Sequence, residues 1–277
     1  MPTRNSLTSD LIVLLGDSLT QHGWNVDRRG WAAQLSQEYI RRLDVVNRGY
    51  SGFNSRWGRI VLPKVLPHYA TKKAATLGSA AEHHKPKLQL FAIFYGANDA
   101  QFPGYPAHVP LGEFKENLRG IVETVRSPES ELHSPDARFL LITPPAFGDK
   151  LFVTYDNPGF GQRTIVDRSN AVAETYAQAV KEVASELAVP CVDLWTAMET
   201  KIAEGRASGV KSGVDGYDAY LFDGLHLNAN GNDLLFGLVM DAIKTNYPDL
   251  DPNALPFVIP AFRTFSSAEE LTEMLGP

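Results

Sequence analysis

Residues 88–95 read Leu-Gln-Leu-Phe-Ala-Ile-Phe-Tyr, with no polar side chain after Gln89. The run is far too short to cross a membrane. It is also apolar at successive positions, which a strand with one wet face is not, so it predicts a strand covered on both sides. Residues 11–15 (LIVLL) and 139–143 (FLLIT) repeat the pattern, and 44–47 (DVVN) and 189–195 (VPCVDLW) do so less purely. Helical periodicity fills the intervals. Trp31 to Leu43 places Trp31, Leu35, Tyr39, Ile40 and Leu43 on one face, and Leu111 to Val125, Ile165 to Leu187 and Ala229 to Tyr247 follow. Alternation of strand and helix implies a parallel sheet with right-handed crossovers. The expected fold is α/β, a three-layer α/β/α sandwich formed as one domain over residues 8–247.

Residues 248–277 read differently, with Pro248, Pro252, Pro256 and Pro260 spaced four apart. This tail is expected to be extended, with a short helix near Ser267 to Leu275. Its apolar residues, among them Leu255, Phe257, Ile259 and Phe262, call for a packing surface. That surface belongs either to its own domain or to a second subunit, the latter making a homodimer.

Composition narrows the function classes. Among 277 residues, 26 Lys and Arg face 32 Asp and Glu, a net charge of −6. That mild acidity offers no basic footprint for nucleic acid or anionic lipid. Cys191 is the lone cysteine, which excludes an internal disulfide framework and a cysteine-cluster zinc site. The polar start and the short apolar run at 11–15 give neither a secretory h-region nor a membrane span. A cytoplasmic, reducing compartment is the expectation.

In parallel α/β sheets ligands bind at the carboxyl ends of the strands. Gly16-Asp17-Ser18-Leu19-Thr20 follows the first strand, Asn47-Arg48-Gly49-Tyr50-Ser51-Gly52 the second, and Gly96-Ala97-Asn98-Asp99 the third. Asp223-Gly224-Leu225-His226 precedes the last long helix. Each segment alone is ordinary turn or capping chemistry. Together they supply a serine nucleophile (Ser18), a base (His226) and an acid to orient it (Asp223). They also supply donors for an oxyanion: the N–H groups of Ser18 and Gly52 and the amide of Asn98.

In order and spacing, GDSLT (16–20), the Gly52 loop, GAND (96–99) and DGLH (223–226) resemble the four sequence blocks of the SGNH (GDSL-type) hydrolases. The resemblance runs from about residue 11 to 247. The runs NRGYSGFNSRWG (47–58), FYGANDA (94–100) and HVPLGEFKENLRGIV (108–122) look like the isoamyl acetate-hydrolysing esterase branch. It implies a flavodoxin-like sandwich with a five-stranded parallel sheet of order 2-1-3-4-5. It further implies ester hydrolysis without metal or organic cofactor, Ser18, Asp223 and His226 as catalytic residues, and Ser18, Gly52 and Asn98 as the oxyanion hole. A small ester is the implied substrate, plausible choices being short-chain acetate esters. A lysophospholipase or acyl-thioesterase on the same residues is the alternative, and a silent flavodoxin-like binding module is a third reading. No G-x-S-x-G elbow is present, which sets the chain apart from the α/β-hydrolases.

Rival features have plainer readings. His22, four residues after Ser18, is the competing base but has no acidic partner nearby in sequence. His83 and His84 lie in a polar segment, and His68, His108 and His133 have no ligand-like companions. Cys191 sits in an expected strand, where a thiol behaves as a small apolar group. Gly159-Phe160-Gly161 lacks the third glycine and the preceding strand of a dinucleotide site. Asp17 and Asp99 are expected to cap and to brace loops. Trp24, Trp57, Phe102, Phe147 and Phe160 either wall a pocket or fill the core.

Overall fold

The computed structural model describes residues 9–66, 86–157, 161–162, 165–209, 213 and 215–275. His68, His83, His84, Phe160 and part of the Gly159–Thr164 stretch lie outside the described residues. Five parallel strands form the main sheet: β1 (Asp10–Gly16), β2 (Leu43–Gly49), β3 (Leu88–Phe94), β4 (Arg138–Ile142) and β5 (Cys191–Val192). Their order is β2-β1-β3-β4-β5, which is the order the resemblance implies.

The alternating side chains of one strand feed two separate cores. Ile12 and Leu14 on β1 join Leu90, Ala92 and Phe94 on β3 and Leu140 and Ile142 on β4. This face is covered by α2 (Trp31–Glu38), α7 (Leu194–Ala207) and α8 (Ala229–Asn246). Leu11, Val13 and Leu15 point the other way, with Phe91, Ile93, Phe139 and Leu141. There α3 (Ser55–Val65), α4 (Leu111–Arg126) and α6 (Asn170–Glu186) close the layer. Each fully buried large apolar side chain contributes about 1.5–3 kcal/mol. Trp31 is buried with its polar groups satisfied: Nε1–H donates to Leu19 O at 3.0 Å, and its N–H donates to Asn232 Oδ1 at 3.1 Å.

Several boundaries depart from the sequence expectation, each for a local reason. The α2 helix stops at Glu38 rather than Leu43, because the chain turns through Arg41 at φ 66° to enter β2. Ile40, expected on the inner face, is 54% exposed. The fifth strand is two residues long, because Asp193 Oδ1 accepts from Thr196 N and starts α7 at once. Ser169 does the same for α6, its Oγ accepting from Val172 N, so 165–169 is not helical. The α3 helix has no counterpart among the expected elements and carries Pro63 inside it. Asn54 caps that helix by accepting from Trp57 N at 3.0 Å.

The tail lies against the end of α2 and the turn that follows it. Val258 N donates to Arg41 O, and Arg42 Nε donates to Leu255 O. Arg41 and Arg42 each place a guanidinium 4.4 Å from the Phe257 ring centroid. The short helix, α9, spans Ala268–Leu275.

Candidate active site

The first strand ends at Gly16, where no other residue fits. A Cβ there would lie 2.6 Å from Phe94 O and strike the Thr20 hydroxyl. Asp17 then caps the one-turn helix α1 (Ser18–Gln21), its Oδ1 accepting from Leu19 N at 2.8 Å. Ser18 opens that helix, so its N–H is one of the orphan donors of a helix start. Its hydroxyl faces the loop before α8.

That loop is shaped by a carboxylate. Asp223 Oδ1 accepts the N–H groups of Leu225 (3.0 Å) and His226 (2.8 Å), and Gly224 takes φ +85° between them. Phe222 N donates to His226 O, which completes a tight turn. The outcome is a continuous chain: Asp223 Oδ2 to His226 Nδ1, 2.9 Å, and His226 Nε2 to Ser18 Oγ, 2.9 Å. Burial raises the Asp223 pKa. Hydrogen bonding and charge from His226, together with the two backbone N–H groups, outweigh that and hold the carboxyl well below the usual range. An ionised Asp223 only accepts, so Nδ1 carries the proton and Nε2 is left to accept from Ser18.

The other strand-end loops converge on the same place. Tyr50 N donates to Gly16 O, Asn47 Nδ2 to Thr20 O, and Ser51 N to Gln21 Oε1, binding the loop after β2 to α1. Gly52 takes φ +81°, and a Cβ there would meet only open space. Asn98 Nδ2 donates to Phe53 O at 2.9 Å, which fixes the amide beside the Gly52 loop and leaves its second N–H. Below it, Arg168 Nη1 donates to Ala97 O, and the guanidinium is held by Asp167.

The rival residues fall elsewhere. His22 meets His226 edge-on, with ring centroids 5.7 Å apart, and it is His226 that bonds Ser18. Burial lowers the His22 pKa, and the positive fields of His226 and Arg28 add to this. Burial pushes the Cys191 thiol up to about 12, with Asp193 adding to it, which disfavours the nucleophilic thiolate. Phe147 belongs to the core, packed on Phe152 at 4.9 Å, whereas Trp24 is 41% exposed. Trp57 packs on Phe53. Among the described residues, no group of three or more His, Cys, Asp or Glu could hold a metal ion, and no helix is long and apolar enough to cross a membrane.

Sequence reasoning missed the ring that lies on the imidazole. Phe222 stacks on His226 and carries Arg28 over its face. Only the position of Phe222, immediately before Asp223, could have signalled it.

A five-stranded parallel sheet of this order thus carries Ser18, His226 and Asp223 joined by hydrogen bonds at its carboxyl edge. The GDSL-like lipase/acylhydrolase family matches residues 14–234. The chain belongs to that family and is a carboxylic ester hydrolase. Among its relatives, the isoamyl acetate-hydrolyzing esterase 1 homolog of Bos taurus is 33% identical over 267 residues, covering 96% of this chain and 92% of the relative. A GDSL esterase/lipase of Arabidopsis thaliana is 33% identical over 254 residues, 90% of each chain. Of solved structures, a lipase/acylhydrolase from Enterococcus faecalis superposes with a TM-score of 0.53 at 23% identity, covering 90% of this chain and 98% of its own.

Proposed function

We propose that the protein hydrolyses small carboxylic esters, foremost short-chain acetate esters, through Ser18, His226 and Asp223. The observation that carries this reading is the unbroken Asp223–His226–Ser18 chain, both links at 2.9 Å. His226 Nε2 takes the Ser18 proton as Oγ attacks the ester carbonyl. The tetrahedral oxyanion is received by the N–H groups of Ser18 and Gly52 and by the free N–H of the Asn98 amide. Each such donor is worth about 3 kcal/mol of barrier. His226 then protonates the leaving alcohol, and water repeats the steps to free the acid and Ser18. Asp223 holds the tautomer and steadies the imidazolium.

One observation supports a small substrate: the Bos taurus relative is named for isoamyl acetate hydrolysis.

Hydrolysis of p-nitrophenyl esters from acetate through decanoate, wild type beside Ser18→Ala, tests the substrate class. Rates should be greatest for the shortest acyl groups, fall with chain length, and vanish in the variant. Ser18-dependent rates that climb with acyl length would instead assign a lysophospholipase or acyl-thioesterase.

A further inference from the structure

Two carboxyls lie buried directly behind the site and take no part in the steps above. Asp17 precedes Ser18, Asp99 follows Asn98, and both have no exposed surface. Both lie at the carboxyl ends of adjacent strands: Gly16 and Phe94 are register partners on β1 and β3, Asp17 follows Gly16 directly, and Asp99 lies in the turn after β3. Each uses one oxygen to hold a loop. Asp17 Oδ1 accepts Leu19 N, and Asp99 Oδ1 accepts Ser55 N at 2.9 Å, at the start of the helix that follows the Gly52 loop. The second oxygen of each is buried without a hydrogen-bond partner, as is the hydroxyl of Tyr95.

Among the described residues the cations that face the pair are already shared with other carboxylates. Arg168 faces Asp17 but is bound by Asp167, and Arg56 faces Asp99 but is forked onto Glu113. The other titratable groups turned toward the pair are Tyr95 and Tyr176, and both are neutral phenols with raised pKa values. Two carboxylates in a dry site whose facing cations are paired elsewhere repel, and a proton is the charge that relieves them.

We propose that Asp17 and Asp99 form a buried acid pair that holds one proton between them and, in that state, positions the loops of Ser18 and Asn98. The electrostatics agree: burial pushes Asp17 up to about 7, with the charge of Asp99 adding to it, and pushes Asp99 up to about 6. The native chain then holds a proton that the unfolded chain releases. Stability should therefore fall as pH climbs from the ordinary carboxylate range through about 7. With both acids ionised, repulsion works against the closure of the two loops.

Thermal unfolding of the full chain, wild type beside Asp17→Asn and Asp99→Asn, reads this directly, since Asn matches a protonated acid in shape and charge. The midpoint of each variant relative to wild type should rise by roughly 5 °C between pH 5 and pH 8. An offset that is the same at both pH values would overturn the proposal. A second readout needs no variant. In the native wild type at pH 6, the infrared carbonyl stretch of a protonated carboxylic acid should be present, and it should vanish on unfolding. Its absence from the native protein would overturn the pair as well. The positioning role rests on Ser18 being the nucleophile and is read in kinetics. The kcat ratio of Asp99→Asn to wild type should rise between pH 6 and pH 8 with the KM ratio constant, and a constant kcat ratio would contradict it. The unfolding and infrared results do not involve Ser18, so they separate failure of the pair from failure of the esterase assignment.

Discussion

Phe222 stacks on His226 with ring centroids 5.6 Å apart and planes inclined by 18°. The Arg28 guanidinium lies over the same phenyl ring, 3.6 Å from its centroid, and Tyr155 meets it edge-on. The imidazole is thus held by Asp223 at one nitrogen and by a braced ring along its plane. Phe222→Ala leaves the hydrogen bonds and the edge-on contact with His22. Its kcat on p-nitrophenyl acetate should fall by about tenfold, the equivalent of the ~1.4 kcal/mol at the upper end of an aromatic pair. Phe222→Tyr keeps the ring and should restore most of the rate.

Asp223→Asn tests the orienting role. The amide reproduces the shape but no longer requires the proton on Nδ1, so kcat should drop by about 10³–10⁴. Because the native carboxyl is held below its ordinary value of 3.8, its stabilisation is present above that pH and is lost as pH falls through the native value. The wild type should therefore be more stable than Asp223→Asn at pH 6, and the gap should close on acidification. Urea unfolding at several pH values measures both.

Gly224→Ala attacks the same loop through the backbone. At φ +85° an L side chain is strained, and its Cβ would lie 2.5 Å from Phe152 N and 2.6 Å from Gly148 O, neither of which can swing aside. A loss of about 2–4 kcal/mol in unfolding free energy is expected, with a fall in kcat as Asp223 and His226 shift.

Arg168→Ala tests the support beneath Asn98. The side chain is 7% exposed, pairs with Asp167 and donates to Ala97 O at 2.9 Å. Removing it leaves a largely buried carboxylate without its cation, at a cost of about 3 kcal/mol. Denaturant unfolding should show that loss, and kcat should fall with it because Ala97 and Asn98 share a turn.

Much of this was legible in the chain. The two-faced strands β1, β3 and β4 announce themselves because burial on both sides leaves no polar position, as at Leu90 to Phe94. Apolar periodicity misled at Ile40 and Leu43, since it continues past the point where Arg41 turns the backbone left-handed. The α3 helix was hidden by Pro63, which reads as a helix breaker because it lacks the N–H that would bond Arg59 O. Ser18 stood out as a polar residue directly after a two-faced strand, and Asp223 and His226 as a carboxylate and an imidazole three residues apart before α8. The Arg28–Phe222–His226 stack carries no periodic signal, since its members meet only through tertiary packing. The pairing of Asp17 with Asp99 was hidden for the same reason, each reading locally as a cap.

Reaction with a fluorophosphonate, followed by peptide mapping, tests the central claim most directly. One adduct per chain is expected, on Ser18, with ester hydrolysis lost in step with labelling and no labelling in Ser18→Ala. Folded protein that hydrolyses esters yet is left unmodified at Ser18, or a Ser18→Ala variant that retains wild-type turnover, would contradict it.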